Sequence, residues 1–332
     1  MNRDHSIDIM RGIAMILVVM GHITYCNIWL KAWLYSFHIP LFFFISGTTF
    51  SVDKYNWKSF VLKRIKSLLI PYFVFSFTNY IFSFFYDLFF GIDFYTTKKF
   101  IGIFLAYRLT DYYNGLWFLI TLFFSEILLF HIIKIINKRN NNASTFLALG
   151  TVLLVAGIVI INFVKGFLWS LDLVPLASSF ICFGYYYKLK KEKLKKYVKI
   201  RYFIVFGLIN VLLSIINFYF FGFVDLYGAT LGNPLFFIIA SLSGIITSAL
   251  FALIVKKCRI IELIGKNTIV IYCLHQTIII PCVVLLLKRT FVVNNDIFMF
   301  VFIFLLTIIF SVALSMFINR FFPMILGKKK FS

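Results

Sequence analysis

Three ionisable residues, Asp8, Arg11 and His22, lie within the first long apolar stretch of the chain. Asp8 and Arg11 are three residues apart, so on a helix they would be neighbours able to form an ion pair. His22 follows after about three helical turns, on the same face and about 16 Å farther along the axis. Such a stripe could supply a proton acceptor near mid-membrane and a cation that holds an anionic substrate. The same residues could instead brace the helix bundle, and the spacing leaves both interpretations open.

The next apolar stretch contains the sequence FHIPLFFFISG over residues 37–47. We expect His38 near the outer end of a second span, where it could face His22 or simply lie at the membrane interface. Ser46 is expected near the inner end of that span. Pro40 should kink or loosen the helix and free backbone carbonyls.

Three basic residues, Lys63, Arg64 and Lys66, follow before the pair Pro71-Tyr72. A cationic cluster at the cytoplasmic face could dock an anionic acyl donor. The same charges would also orient the neighbouring spans without any role in binding.

The composition identifies the elements that must position these residues. Of the 332 residues, 62% are hydrophobic and 14% charged, against about 45–50% apolar and 25% charged in soluble domains. This excludes a soluble enzyme, a disordered chain and a fibrous repeat, and the long continuous apolar runs favour helices over barrel strands. We predict an all-α polytopic transmembrane bundle, a single domain over 1–332 without an appended soluble domain. The ten predicted spans are 7–29, 33–50, 68–90, 115–136, 146–164, 167–187, 202–221, 235–255, 267–287 and 296–319.

The basic residues predict the orientation of this bundle. There are 33 Lys and Arg against 12 Asp and Glu. If both termini are cytoplasmic, 25 of the 33 fall on the cytoplasmic side, 7 fall outside, and Arg11 lies within a span. This asymmetry follows the positive-inside rule and supports the count of ten spans. The basic loop 188–201 is typical of attraction to anionic lipid, and no recognition motif indicates a nucleic-acid partner.

The remaining polar residues give weaker signals. The five cysteines show neither a disulfide framework nor a metal motif, so we expect no metal site. His275, in the predicted ninth span, is a candidate functional histidine, although core packing would also explain it. We interpret His5 as a solvated terminal residue. Four further residues are interpreted as structural or interfacial: Asp87, Glu126, His131 and Asp172.

Taken in order, these motifs resemble the acyltransferase 3 family of membrane acyltransferases. The first is D-x-x-R-G followed by a histidine, with ten residues between the arginine and the histidine. The others are FHIPLFFFISG, the KR…PY stretch, LWFL at 116–119, GYYYK at 184–188 and GKNTIVIYCLHQ at 265–276. The length of the chain is similar to that of the stand-alone sugar O-acetyltransferases, including the fucose 4-O-acetylase-like group.

This resemblance implies transfer of an acyl group, usually acetyl, from a cytoplasmic acyl-coenzyme A to a hydroxyl of a cell-surface or lipid-linked sugar. It implies a multi-pass protein of the inner (plasma) membrane, in contact with lipid, in which acetyl-coenzyme A is a donor substrate and no cofactor is bound. Direct transfer and an acyl-histidine relay both stay open. The residues that we assign on this basis are catalytic His22, Arg11 and Asp8; substrate-binding His38, Ser46, Trp117 and His275; and donor-binding Lys63, Arg64 and Lys66.

Two other classes of function remain open from the sequence. A transporter, flippase or exporter of a surface polysaccharide or its lipid-linked precursor would also have many spans and a polar interior. Such transporters often show paired interrupted spans in their two halves, and no such pairing is visible in the sequence. A structural partner in a glycan-assembly complex would tolerate loss of His22 and Arg11.

Overall fold

The computed structural model describes residues 4–91, 96–108, 115–139, 142–290 and 295–328. These residues form a helical bundle, and the β-type pairing found among them is a single antiparallel bridge between Asp225 and Thr230. The α-helices are α1 His5–His22, α2 Ile28–Tyr35, α3 His38–Thr49, α4 Trp57–Arg64, α5 Ile70–Phe90, α6 Thr96–Leu105, α7 Trp117–Arg139, α8 Ala143–Phe163, α9 Val174–Leu194, α10 Ile200–Phe221, α11 Pro234–Val255, α12 Arg259–Lys266, α13 Thr268–Leu274, α14 Ile280–Thr290 and α15 Asp296–Phe321. π-helical turns at Ile65–Leu69 and His275–Ile279 join α4 to α5 and α13 to α14.

Ten helical segments of the described chain are long and apolar enough to cross a membrane, which confirms the predicted all-α transmembrane architecture. They are His5–His22, Ile28–Thr49, Trp57–Phe90, Trp117–Lys138, Ala143–Phe163, Leu168–Tyr197, Ile200–Phe221, Pro234–Val255, Thr268–Arg289 and Asp296–Phe321. We number these spans one to ten in chain order.

The first two predicted spans have the wrong limits. The first helix ends at His22, because Ile23 turns into an extended conformation. Asn27 then caps a new helix by accepting a hydrogen bond from the amide of Trp29 at 2.9 Å. The second span therefore begins at Ile28, five residues before its predicted start. The apolar residues of the turn between these helices hid the boundary in the sequence.

The second span is interrupted between α2 and α3. Phe37, at φ −145° and ψ −14°, separates the two helices. Pro40 lies in the first turn of α3, where its missing amide breaks no helical hydrogen bond. His38 therefore begins the inner half of a broken span and lies near its middle, not near its outer end as predicted. The predicted interruption is present, but it comes at Phe37, before Pro40.

The third and sixth spans are longer than predicted. The third begins at Trp57, where Asn56 caps the helix by accepting from the amide of Ser59 at 2.9 Å. The sixth continues to Tyr197, through the basic residues that follow GYYYK. Both helical segments extend beyond the apolar stretches from which the spans were predicted, because lysine and arginine are good helix formers.

Both described ends of the chain lie at one end of the bundle, which we call the basic end. Lys191 forms an ion pair with Asp4 there and also donates to the Ser6 hydroxyl at 2.9 Å. His5 is half-exposed, but it is not simply solvated, because its Nδ1 lies 2.9 Å from Oε2 of the buried Glu262. The opposite end, which we call the far end, carries the turn 23–27 and the loop 222–233.

Close helix crossings bring the central spans together. A Cβ on Gly47 would overlap the backbone carbonyl of Ile181, and one on Gly184 would overlap the carbonyl of Phe44. These glycines therefore allow α3 and α9 to meet backbone to backbone, the type of contact that small residues permit between transmembrane helices. The crossing fixes α3, and with it Ser46, near the middle of the bundle.

Candidate active site

A cavity of about 270 Å³ opens at the basic end and contains several of the predicted residues. Arg11 enters it from α1, Ser46 from α3 and Arg64 from the end of α4. Residues 265–270, which begin the ninth span, and Lys328 complete its polar part. The sequence places these residues far apart, and the bundle brings them together because all of them lie at the same ends of their spans.

The centre of this basic-end cavity is an ion pair that the sequence did not predict. Nε of Arg64 lies 2.6 Å from Oε2 of Glu126. The Ser46 hydroxyl donates to the other carboxylate oxygen of Glu126 at 2.5 Å. Arg64 also lies over the ring of Phe60, with its guanidinium carbon 5.1 Å from the ring centroid. Arg64 is thus held in place from two sides.

A second cavity, of about 280 Å³, lies at the far end. His22, the last residue of α1, lines it together with His38, the first residue of α3. The sequence left open whether His38 faces His22 or lies at the membrane interface, and in the structure both histidines line this cavity. Lys31 and Trp117 also line this far-end cavity.

Three buried or cavity-lining histidines share one hydrogen-bonding pattern. Nδ1 of His22 lies 2.8 Å from the carbonyl oxygen of Val18, and Nδ1 of His38 lies 2.6 Å from that of Leu34. His275 repeats the pattern with the carbonyls of Ile271 and Tyr272, at 2.9 Å and 3.0 Å. A carbonyl only accepts, so each Nδ1 must carry the proton and each neutral ring keeps a lone pair on Nε2.

His275 extends the histidine pair into the protein core. Its ring centroid is 5.0 Å from that of His22, in an edge-to-face arrangement. The side chain is 1% exposed, and its Nε2 has no hydrogen-bond partner among the described residues. It also begins a π-helical turn, a distortion that often accompanies functional sites in helices. His275 therefore lies beside the far-end cavity, with its ring against His22.

The loop 222–233 covers the far-end cavity, which Asp225, Leu226 and Tyr227 line. Arg108, which is 0% exposed, donates to the carbonyl oxygens of Leu226 and Tyr227 at 2.6 Å and 2.7 Å. It also forms an ion pair with Asp172. Burial lowers the pKa of the Arg108 guanidinium, and the neighbouring Asp172 opposes that effect. The arginine thus fixes this loop to the sixth span.

Ile39 and Tyr272 line both cavities and form the wall between them. The hydroxyl of Tyr272 donates to the carbonyl of Gly115 at 3.0 Å. On the basic-end side, the ring of Tyr272 packs against Phe118, with the ring centroids 5.5 Å apart. Arg11 and His22, predicted to form one continuous stripe, therefore open into different cavities on opposite sides of this wall.

The other predicted residues lie around these cavities. Asp8 is 4% exposed and lies one turn before Arg11, where its backbone meets Gly265. Its ion pair with Arg11 stays a prediction. Lys63 and Lys66 are exposed at the basic end and do not line the basic-end cavity. Lys63 donates to the hydroxyl of Tyr55 at 2.7 Å, and this hydrogen bond lowers the pKa of Tyr55.

Sequence reasoning missed three residues that line the cavities, and it also missed Arg108, which holds the loop over the far-end cavity. Glu126 is an acid inside an apolar span, which is itself a signal of function, but we interpreted it as structural. Arg108, Asp225 and Tyr272 carry no such signal, because their roles depend on which segments meet in space. Among the described residues, no group of three His, Cys, Asp or Glu side chains is placed to hold a metal ion.

The fold and the two cavities define a class of protein: a polytopic helical membrane protein with polar sites open toward both ends of its bundle. The model of the acyltransferase 3 family, described as an acyltransferase domain, matches residues 4–316. The chain belongs to this family and is a membrane acyltransferase. No curated protein and no solved structure matches it significantly.

Proposed function

We propose that this protein transfers an acyl group, most simply acetyl, from a cytoplasmic acyl-coenzyme A to a hydroxyl of a cell-surface or lipid-linked sugar. The observation that carries the proposal is the division of the site. Arg11 and Arg64 line a cavity at the basic end, whereas His22 and His38 line one at the far end. The two cavities meet at a shared wall, as transfer between substrates from opposite sides requires.

The basic-end cavity suits the donor. Coenzyme A carries phosphates, which arginine binds through charge-assisted hydrogen bonds. Arg11 and Arg64 lie in the cavity, and the exposed Lys63 and Lys66 add positive charge near its mouth. Since Arg11 and His22 open into different cavities, this geometry favours donor binding by Arg11 over stabilisation of the thioester oxygen.

The far-end cavity suits the acceptor and the chemistry. His22 Nε2 accepts the proton of the sugar hydroxyl while the hydroxyl oxygen attacks the carbonyl carbon of the thioester. The new carbon–oxygen ester bond replaces the carbon–sulfur bond, and the thiolate of coenzyme A leaves and takes up the proton. In a relay, the same Nε2 would first accept the acyl group. The rings of Tyr35, Trp117 and Tyr227 provide apolar faces for a sugar.

The asymmetry of the basic residues supports an orientation with the basic end in the cytoplasm. The plasma-membrane location is part of the proposal because the proposed acceptor is a cell-surface or lipid-linked sugar. In this orientation the donor meets the basic-end cavity from the cytoplasm. The acceptor then reaches His22 from outside the cell or from the membrane. Coenzyme A, the glycan acceptor and membrane lipid are thus the proposed partners, and the proposal includes neither a bound cofactor nor a nucleic acid.

Acyl transfer in proteoliposomes tests the proposal. Purified protein would receive radiolabelled acetyl-coenzyme A and a lipid-linked glycan extract. We expect label in the glycan with the wild type, and its loss with His22→Ala and with Arg11→Ala. His131→Ala is the matched control, because this exposed histidine packs against Trp57 and lines neither cavity. Transfer that survives His22→Ala would contradict the assignment of the base.

The break in the second span favours one alternative, an exporter of a glycan or its lipid-linked precursor. Interrupted helices at polar sites are typical of secondary transporters. An exporter would move glycan across the vesicle membrane without acyl-coenzyme A. Glycan movement in the absence of donor, together with absence of label transfer, would therefore replace the acyltransfer proposal.

A further inference from the structure

The seventh span, α10, buries polar residues and exposes apolar ones. The buried residues of this helix are Asn210, Ser214 and Asn217. Their spacing of four and then three residues places them on one face. Apolar side chains such as Leu208 and Leu212 are 65% and 60% exposed, as a lipid-facing surface would be. The helix is therefore held to the bundle along a polar stripe, which we call the α10 stripe.

The first two residues of the stripe contact the break in the second span. Asn210 Oδ1 accepts from the indole nitrogen of Trp33 at 2.5 Å, and its Nδ2 lies 3.4 Å from the hydroxyl of Ser36. The Ser214 hydroxyl donates to the same Ser36 hydroxyl at 2.8 Å. From the eighth span, Ser241 donates to the carbonyl of Ser36 at 3.0 Å. Polar groups that a continuous helix would satisfy internally are thus satisfied by neighbouring spans.

The break determines where His38 lies. His38 follows Ser36 by two residues and begins α3. Its Nδ1 is bonded to the carbonyl of Leu34 across the break, and its ring packs edge-to-face on Tyr35 at 4.9 Å between centroids. A change in the angle between α2 and α3 would therefore move the Nε2 of His38 within the far-end cavity.

The third residue of the stripe holds the loop over the same cavity. Asn217 Oδ1 accepts from the amide of Asn233 at 2.7 Å, and its Nδ2 donates to the carbonyl of Leu231 at 2.9 Å. Gly232, at φ +60°, lies so close that a Cβ there would meet the Asn217 side chain. This end of the loop is thus fixed by α10, whereas Arg108 fixes residues 226–227.

We propose that the α10 stripe is a positioning element for the acceptor half of the site. Asn210 and Ser214 set the angle between α2 and α3 and so the position of His38. Asn217 sets the position of the loop 222–233 over the far-end cavity. The inference rests on the proposed acyltransferase function. None of the three residues lines either cavity, so each acts through the residues that it holds.

A kinetic comparison separates positioning from general bracing. In proteoliposomes, Asn210→Leu and Asn217→Leu should each lower kcat/KM for the acceptor by roughly 10- to 100-fold, the scale of a small misplacement of reacting groups. The KM for acetyl-coenzyme A should stay within about twofold, because the basic-end cavity is untouched. If the KM for acetyl-coenzyme A rose by the same factor by which acceptor kcat/KM fell, the proposal would be overturned.

A matched pair of serines supplies the control. Ser214 and Ser248 are both buried and both donate to the carbonyl four residues before them, but Ser214 also contacts Ser36. Ser214→Ala should lower acceptor kcat/KM, and Ser248→Ala should not. Equal effects of the two substitutions would show that the stripe only holds helices together.

A thiol measurement keeps the inference testable without catalysis. Lys31 lies in α2, before the break, and lines the far-end cavity. The thiol of Lys31→Cys, in a Cys26→Ser background, therefore reports on the α2 side of this cavity. Labelling by an impermeant maleimide should change severalfold when Asn210→Leu is added, and should stay constant with Ser248→Ala. If the wild-type protein transfers no acyl group, the proposed function fails. Labelling that Asn210→Leu alters would still support the positioning role of the α10 stripe, and unaltered labelling would overturn that role.

Discussion

At the scale of single residues, His22 and His38 of the far-end cavity and the neighbouring His275 share the hydrogen-bonding arrangement that the proposed base requires. Each of His22, His38 and His275 ties Nδ1 to a carbonyl one turn earlier, which leaves the Nε2 lone pair available. A helix supplies such a carbonyl at the i−4 position wherever a histidine lies at or just beyond its end. The protein therefore fixes the tautomer without a second side chain.

This geometry predicts the effect of replacing only the reactive nitrogen. Asparagine places its amide nitrogen near the position of Nδ1, so His22→Asn should keep the bond to Val18 and lose Nε2. We expect normal insertion and melting, and a fall in kcat of about 10²- to 10⁴-fold, the usual contribution of a general base. Single-turnover transfer from labelled acetyl-coenzyme A measures the loss. A rate within about threefold of the wild type would show that Nε2 of His22 takes no proton in the reaction.

The pair of Arg64 and Glu126 predicts opposite changes in donor affinity. Arg64→Gln should raise the KM for acetyl-coenzyme A about tenfold, because a charge-assisted contact with phosphate is lost. Glu126→Gln should lower that KM by about two- to fivefold, because Arg64 is no longer neutralised by the carboxylate. Titration of the donor at saturating acceptor measures both values. Shifts in the same direction for the two variants would indicate that the pair is a structural brace only.

Most of the residues of the site, but not their grouping, could be predicted from the sequence. His22, His38 and Arg11 stand out because charged or basic side chains are costly inside apolar spans. Arg64 stands out instead as a member of the basic cluster before Pro71-Tyr72. Tyr272 could not be found this way, since an aromatic residue in a membrane span is ordinary. Its importance depends on two cavities meeting at its ring, which is a property of the packed bundle.

At the scale of elements, the helix ends and interruptions build the site. The first helix stops at His22, the second span breaks before His38, and a π-turn begins at His275. Interruptions free backbone groups and redirect side chains, and these three occur at the far-end cavity or directly beside it. Hydropathy averages over about twenty residues, so it reports the spans and misses interruptions of one or two residues.

The buried pair of Arg108 and Asp172 predicts the stability of the far-end loop. Asp172→Asn would leave the Arg108 charge buried without its counter-ion, at a cost of about 3–5 kcal/mol. We expect a lower melting temperature in detergent and faster proteolysis within 222–233, the loop that Arg108 holds. Asp87→Asn is the control. Asp87 also forms an ion pair, with Lys99 at 3.4 Å, but this pair does not contact the loop 222–233. Equal melting temperatures for the two variants would argue against the role given to Arg108.

The contact of His5 with Glu262 predicts a pH dependence at the basic end. The hydrogen bond with His5 lowers the pKa of Glu262 below 4.5. Because the folded value is depressed, the stabilising contribution is present above pH 4.5 and is lost as the pH falls through the folded value. Wild type should therefore melt higher than Glu262→Gln at pH 7, and the difference should shrink as the pH falls below 4.5. A difference that stays constant down to the lowest pH at which the protein remains folded would contradict the assignment.

At the scale of the whole molecule, the apolar composition and its long runs were sufficient to predict the architecture. Ten apolar stretches in the sequence correspond to the ten helical segments of the described residues that are long and apolar enough to cross a membrane, because lipid leaves a chain this apolar few other choices. The division into two cavities could not be predicted. It depends on the crossing of α3 and α9 at Gly47 and Gly184 and on the positions of Ile39 and Tyr272, which line both cavities. Sequence patterns describe single helices, whereas cavities belong to the spaces between them.

The shared wall has an electrical consequence. A plasma membrane stores energy as a voltage, worth about 2.3 kcal/mol per charge at 100 mV, and any continuous water path would discharge it. The two cavities enter the bundle from opposite ends, and Ile39 and Tyr272 line both. Tyr272→Ala should therefore let proteoliposomes lose a proton gradient faster than wild type or Tyr272→Phe, as a pH-sensitive dye inside the vesicles would show. Gradients that persist equally would place the seal elsewhere. In the proposed reaction an acyl group would pass this wall, and the acyl chain itself would then have to block the water path while the wall is open.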